Sequence, residues 1–166
     1  MAGNGNIDFF CLECYTDKSE VNTLQTEVIK IDRENMDLDA LKRAGEIIKS
    51  GGLVAFPTET VYGLGGDGLH EESSRKIYEA KGRPSDNPLI VHVADMEHLE
   101  KIVKKVPKAA YKLAEAFWPG PMTMILEKND LVPYGTTGGL DTVAIRMPSD
   151  PIALELIRQG GGYIAA

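Results

Sequence analysis

Residues 142–166 read TVAIRMPSDPIALELIRQGGGYIAA. Thr142 to Met147 has the short apolar run of a strand, and Pro151 to Gln159 repeats apolar residues at helical spacing behind a proline suited to a first helical turn. Gly162 to Ala166 then returns to a strand running up through the core. Strand, helix, strand is the unit of an α/β sheet with helices packed on it. The alternation continues toward the N-terminus. Pro88 to Val93 reads as a buried strand followed by two helices split at Pro107, and a helix is expected from Glu71 to Ala80. Leu53 to Phe56 is an apolar run stopped by Pro57, as in a strand covered on both faces. Before it, Leu38, Leu41, Ala44, Ile47 and Ile48 recur at helical spacing behind Asp37, and Gly51-Gly52 ends that helix. Glu27 to Ile31 alternates like a strand. Met122 to Leu126 reads as a strand lying close in sequence to Thr142, which predicts that part of the sheet is antiparallel. Thr58 to Gly68 is polar and glycine-rich and reads as a connection. Residues 1–25 show no sustained periodicity and are expected to form a weakly ordered extension, with the domain spanning 26–166.

The 166 residues hold 25 Asp and Glu against 18 Lys and Arg, a net charge of -7. This acidity argues against a protein that wraps nucleic acid, because phosphate contacts are made mainly by clustered Lys and Arg. The length is enough to bury a core around a small-molecule pocket without disulfide or metal. No apolar run approaches the roughly 20 residues of a membrane helix, and the first residues lack a secretory signal, so a cytoplasmic location is expected. The two cysteines, Cys11 and Cys14, could form half a zinc site or a redox pair. The further ligands and the βαβ setting those roles need are missing, which favours two reduced thiols.

Several residues carry possible chemistry. Gly63, Gly65 and Gly68 match G-x-G-x-x-G, but neither the strand abutting the first glycine nor the helix opening at the third is expected, so a dinucleotide site is disfavoured. Lys81-Gly82-Arg83-Pro84 places two cations around a glycine with a proline fixing the loop, a set able to bracket a polyphosphate; cations complementing a helix C-terminus explain it as well. His92 lies inside an apolar strand, where a core histidine is commoner than a ligand. Arg146 lies inside another, and a buried guanidinium needs an anion: a bound carboxylate or phosphate, or a structural Asp or Glu. Lys101, Lys104, Lys105, Lys108 and Lys112 read as a solvated helix face.

Four segments in order resemble one known family. Phe56-Pro57-Thr58-Glu59-Thr60-Val61-Tyr62-Gly63-Leu64-Gly65, then Lys81-Gly82-Arg83-Pro84 with Asn87-Pro88-Leu89, then Trp118-Pro119-Gly120-Pro121-Met122-Thr123, then Asp141-Thr142-Val143-Ala144-Ile145-Arg146-Met147-Pro148 are similar to the YrdC-type threonylcarbamoyl-AMP synthases. The resemblance implies a twisted, mixed parallel and antiparallel sheet with flanking helices and a concave pocket. It implies synthesis of threonylcarbamoyladenylate and pyrophosphate from L-threonine, bicarbonate and ATP, with magnesium riding on the nucleotide phosphates. A partner transferase then modifies an adenosine in tRNA. By the same resemblance Lys81, Arg83, Asn87 and Thr142 contact ATP, and Thr60, His92 and Arg146 contact threonine; no residue is assigned as catalytic and none as a metal ligand. The family places a Ser-x-Asn element just after a strand ending Ile-Ala-Ala, and the chain stops at Ala165-Ala166, so a C-terminally truncated domain is expected. The alternatives are a double-stranded RNA-binding module, with weak RNA binding given the charge, and an inactive fragment of the synthase.

Overall fold

In a computed structural model of the chain, the backbone is described for residues 6–13 and 25–166, and the side chains from Thr26 onward. The strands are β1 (Asn6–Glu13), β2 (Gln25–Asp32), β3 (Leu53–Phe56), β4 (Gly63–Asp67), β5 (Ile90–His92), β6 (Thr123–Glu127), β7 (Thr142–Arg146) and β8 (Ile164–Ala165). They form one sheet in the order β2-β1-β3-β4-β8-β5-β7-β6. Only the β5–β7 pair is parallel; the other neighbours run antiparallel. The helices are α1 (Leu38–Lys49), α2 (Glu71–Lys81), α3 (Met96–Ile102), α4 (Lys108–Phe117), α5 (Tyr134–Thr137) and α6 (Pro151–Gln159). The mixed α/β sheet matches the sequence reading, and the last strand does rise between β4 and β5.

Two strands lie where sequence periodicity predicts none. Gly63–Asp67 reads as a loop because three of its five residues are glycine, yet it forms β4 between β3 and β8. The close packing explains the composition. A Cβ on Gly65 would sit 2.5 Å from Ile164 Cγ2 and 2.8 Å from the Phe56 ring, so the strand can pass only without a side chain there. The second strand, β1, falls inside the expected 1–25 extension; it pairs along the whole of β2, and Phe10 to Leu12 of its apolar run pair with Leu53 to Ala55 of β3. Cys11 is therefore part of a strand, and Cys14 lies outside the described residues.

Helices cover both faces of the sheet. On one face α1 and α6 pack on Val54, Phe56 and Ile164. On the other, α3 and α4 cover Val91, Val143 and Ile145, and α2 covers Leu53 and Leu89. Asp150 fixes the start of α6: its carboxylate accepts the Ile152 and Ala153 N–H groups and pairs with Arg33 at 2.7 Å. Among the described residues no helix is long and apolar enough to cross a membrane.

The α1–α6 contact depends on one glycine. A Cβ at Gly45 would lie 2.5 Å from the Gln159 carbonyl carbon and 2.6 Å from its oxygen. Alanine inside a helix normally gains about 0.5–1 kcal/mol over glycine. Here that gain is set against a backbone clash that must push α1 off α6, and overpacking costs about 1–3 kcal/mol. Gly45→Ala should therefore lower stability by about 1–2 kcal/mol in urea denaturation; a stabilised variant shows that the helices separate freely.

Candidate functional site

Alternation along β7 sorts its side chains onto two faces. Val143 and Ile145 are buried beneath the helices, whereas Thr142, Ala144 and Arg146 point to the other face. Register extends that face sideways: Ile90 and His92 of β5 pair with Ala144 and Arg146, and Thr123, Ile125 and Glu127 of β6 pair with Arg146, Ala144 and Thr142. Here α1 and α6 do not reach. Ile125 is 69% exposed and Ala144 only half-buried, so the sheet is open across β5, β7 and β6.

The carboxyl ends of the parallel pair carry His92 and Arg146 side by side. This is where α/β sheets meet their ligands, because the chain leaves the strands there. The loop 57–62, leaving β3, reaches the same spot. Thr58 shapes it: its hydroxyl donates to the Val61 carbonyl at 2.6 Å and accepts the Thr60 and Val61 N–H groups. The loop thereby delivers Glu59 Oε1 to 2.8 Å from Arg146 Nη2 and Thr60 Oγ1 to 3.4 Å from the same nitrogen. Arg146 Nε is buried without a hydrogen-bond partner. Burial pushes the Glu59 carboxyl upward, but the bond and charge of Arg146, together with backbone hydrogen bonds at Glu59 and Ser149, outweigh it, and the group stays below the usual glutamate range.

His92 is 4% exposed. Its Nδ1 lies 3.1 Å from the Ile90 carbonyl and 3.3 Å from the Ile164 carbonyl. Carbonyls only accept, so Nδ1 carries the proton and Nε2 is left as the acceptor. The Phe56 ring meets the imidazole edge-on at 5.6 Å. Burial first, and the neighbouring Arg146 charge second, hold His92 down at about 4, so it is neutral near pH 7.

Of the expected ATP residues, Asn87 precedes β5 and Thr142 opens β7 at the opposite end of the same strands, while Lys81 and Arg83 lie at the end of α2. Lys81 ends α2, Gly82 turns the chain at φ 58°, and the exposed stretch 82–88 leads Arg83 and Asn87 toward β5. Burial, with the Arg83 charge second, pushes the Lys81 ammonium below the usual lysine range. Neither Lys81 nor Arg83 makes a side-chain hydrogen bond or ion pair among the described residues. Thr142 opens β7 at this end, four residues or roughly 13 Å from Arg146. Thr142 and Arg146 thus stand at opposite ends of one open strip of sheet. A concavity of about 720 Å³ between α2, this loop and α5 includes Arg83 alone of the expected residues. Glu71, Glu72, Glu79 and Asp86 also line it, with Arg75 paired to Glu72 and Glu79, so carboxylates outnumber cations there and a phosphate is less favoured than on the open sheet face.

Sequence reading leaves the partner of Arg146 open, and the structure supplies Glu59. The signal was the acid at the centre of the Pro57-Thr58-Glu59-Thr60 turn, but nothing local says that this turn folds over a strand 86 residues downstream of Thr60.

A profile of the family described as telomere recombination, which groups Sua5, YciO and YrdC, matches residues 46–166. The chain is 53% identical over 134 residues to the threonylcarbamoyl-AMP synthase of Pyrococcus abyssi, covering 81% of this chain and 39% of the relative. It is 52% identical over 127 residues to the protein of the same name from Bacillus subtilis, covering 76% and 37%. The crystal structure of Pyrococcus abyssi Sua5 complexed with L-threonine aligns with a TM-score of 0.78 at 52% identity, over 80% of this chain and 39% of that one. The chain spans about two fifths of the length of these relatives.

Proposed function

Because the chain belongs to the Sua5/YciO/YrdC family, we propose that it forms the substrate-binding part of a threonylcarbamoyl-AMP synthase. In that reaction L-threonine, bicarbonate and ATP yield threonylcarbamoyladenylate, pyrophosphate and water. A C–N bond forms between the amine and the bicarbonate carbon, a P–O bond forms at the α-phosphorus, and pyrophosphate leaves. The relatives' names and the threonine complex of one of them support this reading. So does one observation here: a buried guanidinium, Arg146, beside a neutral His92 at the carboxyl ends of the parallel strands, with Thr60 against it and its Nε unsatisfied.

In this reading Arg146 takes the threonine carboxylate, and Thr60 and His92 Nε2 offer hydroxyl-scale partners to the rest of the amino acid. Lys81, Arg83, Asn87 and Thr142 hold ATP along the strip, so that its α-phosphorus faces the amino-acid end. Magnesium enters with the nucleotide as part of the substrate. The product passes to a transferase acting on tRNA, and a cytoplasmic site of action is part of the same reading.

Calorimetric titration with L-threonine and with ATP, together with pyrophosphate release in the presence of all three substrates, tests it. Saturable threonine binding is expected, and its absence overturns the reading. Removing the Arg83 fork should weaken ATP by about 2 kcal/mol, roughly thirty-fold, with little change in melting temperature because the exposed side chain makes no hydrogen bond or ion pair among the described residues. Unchanged ATP affinity in Arg83→Ala returns the cation pair to a helix-capping role.

A further inference from the structure

Neither the resemblance nor the reading above assigns Glu59 a role. Its carboxylate sits 2.8 Å from Arg146 Nη2, with the two side chains only 19% and 11% exposed. The same Nη2 reaches Thr60, while Arg146 Nε remains without a partner. A ligand carboxylate approaching this guanidinium therefore arrives with another carboxylate already in place. Two carboxylates on one guanidinium repel each other unless a second cation lies between them. An α-amino acid carries that cation on the carbon next to its carboxylate. Across the residues that flank Arg146, namely Thr60, Thr123 and His92, Glu59 is the one anion, and neutral His92 does not compete for it.

We propose that Glu59 is a specificity-determining residue of the amino-acid site, taking the α-ammonium of a substrate whose carboxylate is held by Arg146. The proposal rests on the threonine reading and deepens it. In the empty site Glu59 keeps the guanidinium neutralised and aimed; with substrate bound it turns from the guanidinium to the ammonium. A ligand with the carboxylate but no amine would meet Glu59 as a repelling charge. The site thereby rejects simple hydroxy acids of the same shape.

The test compares L-threonine with 3-hydroxybutyrate, its counterpart without the amine, by calorimetry on the parent protein, Glu59→Gln and Glu59→Asp. The parent should prefer threonine by at least about ten-fold. In Glu59→Gln, which keeps the shape and loses the charge, that preference should shrink about ten-fold, partly because 3-hydroxybutyrate binds more tightly. Glu59→Asp should keep most of it. A merely structural partner of Arg146 predicts equal shifts for both ligands and an unchanged ratio, which overturns the proposal. Should Glu59→Gln fail to fold, the parent ratio and the aspartate variant decide: equal binding of the two ligands by the parent, or preference lost in the aspartate variant, overturns it. A parent that selects threonine while the variants keep its ratio removes this inference alone. A parent that binds neither ligand removes the threonine reading with it.

Discussion

Arg146→Met should weaken L-threonine binding about a hundred-fold or more while changing ATP affinity by less than about three-fold. Methionine keeps the unbranched length of the side chain, so β7 remains packed between β5 and β6. What disappears is the fork that a carboxylate would engage. Truncating one partner of a buried, hydrogen-bonded charge pair costs about 2–5 kcal/mol of binding, and 3 kcal/mol is more than a hundred-fold. In the proposed arrangement ATP lies at the other end of the strip, roughly 13 Å away on the strand rise, and should not register the change. Glu59 loses its cationic partner, but it keeps the backbone hydrogen bonds at Glu59 and Ser149 and lies on an exposed loop. Threonine affinity equal to the parent's, in a folded variant, removes Arg146 from the site. A loss of several kcal/mol of stability without a selective loss of threonine would make the Arg146–Glu59 pair a structural tie.

Acid should expose His92. Its pKa is about 4 in the folded chain against 6.5 for the free side chain, so between those values the unfolded chain holds a proton that the folded one lacks. Stability then rises with pH across that window. The contribution is complete above about pH 6.5 and is lost as the pH falls toward 4, a difference on the order of 3 kcal/mol. Carboxylates held low, Glu59 and Asp95 among them, also withdraw stability as they protonate, so acid sensitivity alone does not identify the histidine. The comparison with His92→Gln does. Between pH 7 and pH 4.5 the parent should lose roughly 2–3 kcal/mol more than the variant in chemical denaturation. Equal losses would mean that His92 reaches solvent when charged, and that the wall it forms with Phe56 and Arg146 is looser than the contacts indicate.

The extent to which the site is legible in sequence differs between its two ends. The cations expected to meet phosphate, Lys81 and Arg83, stand two residues apart, and their spacing alone brings them to one turn. At the amino-acid end Thr60, His92 and Arg146 come from separate segments, and only the resemblance groups them. Their contact depends on β5 lying parallel to β7 in the register that sets His92 against Arg146. Register across a sheet is set by strand order and loop geometry, which no single strand encodes. For the same reason β4 escapes notice: local propensity is poor for its glycines, and the reason for them, Ile164 and Phe56, lies in strands distant in sequence.

What the sequence by itself determined is the alternation of helix and strand, the mixed sheet, the central last strand and the cationic loop, because apolar periodicity, proline and glycine act over a few residues. What only the tertiary structure decided is the identity of the anion on Arg146, the neutrality of His92 and the placing of Thr142 and Arg146 at the two ends of one uncovered strip. Each of these depends on desolvation and on distances between groups far apart in the chain, and both quantities come into being only when the sheet is assembled.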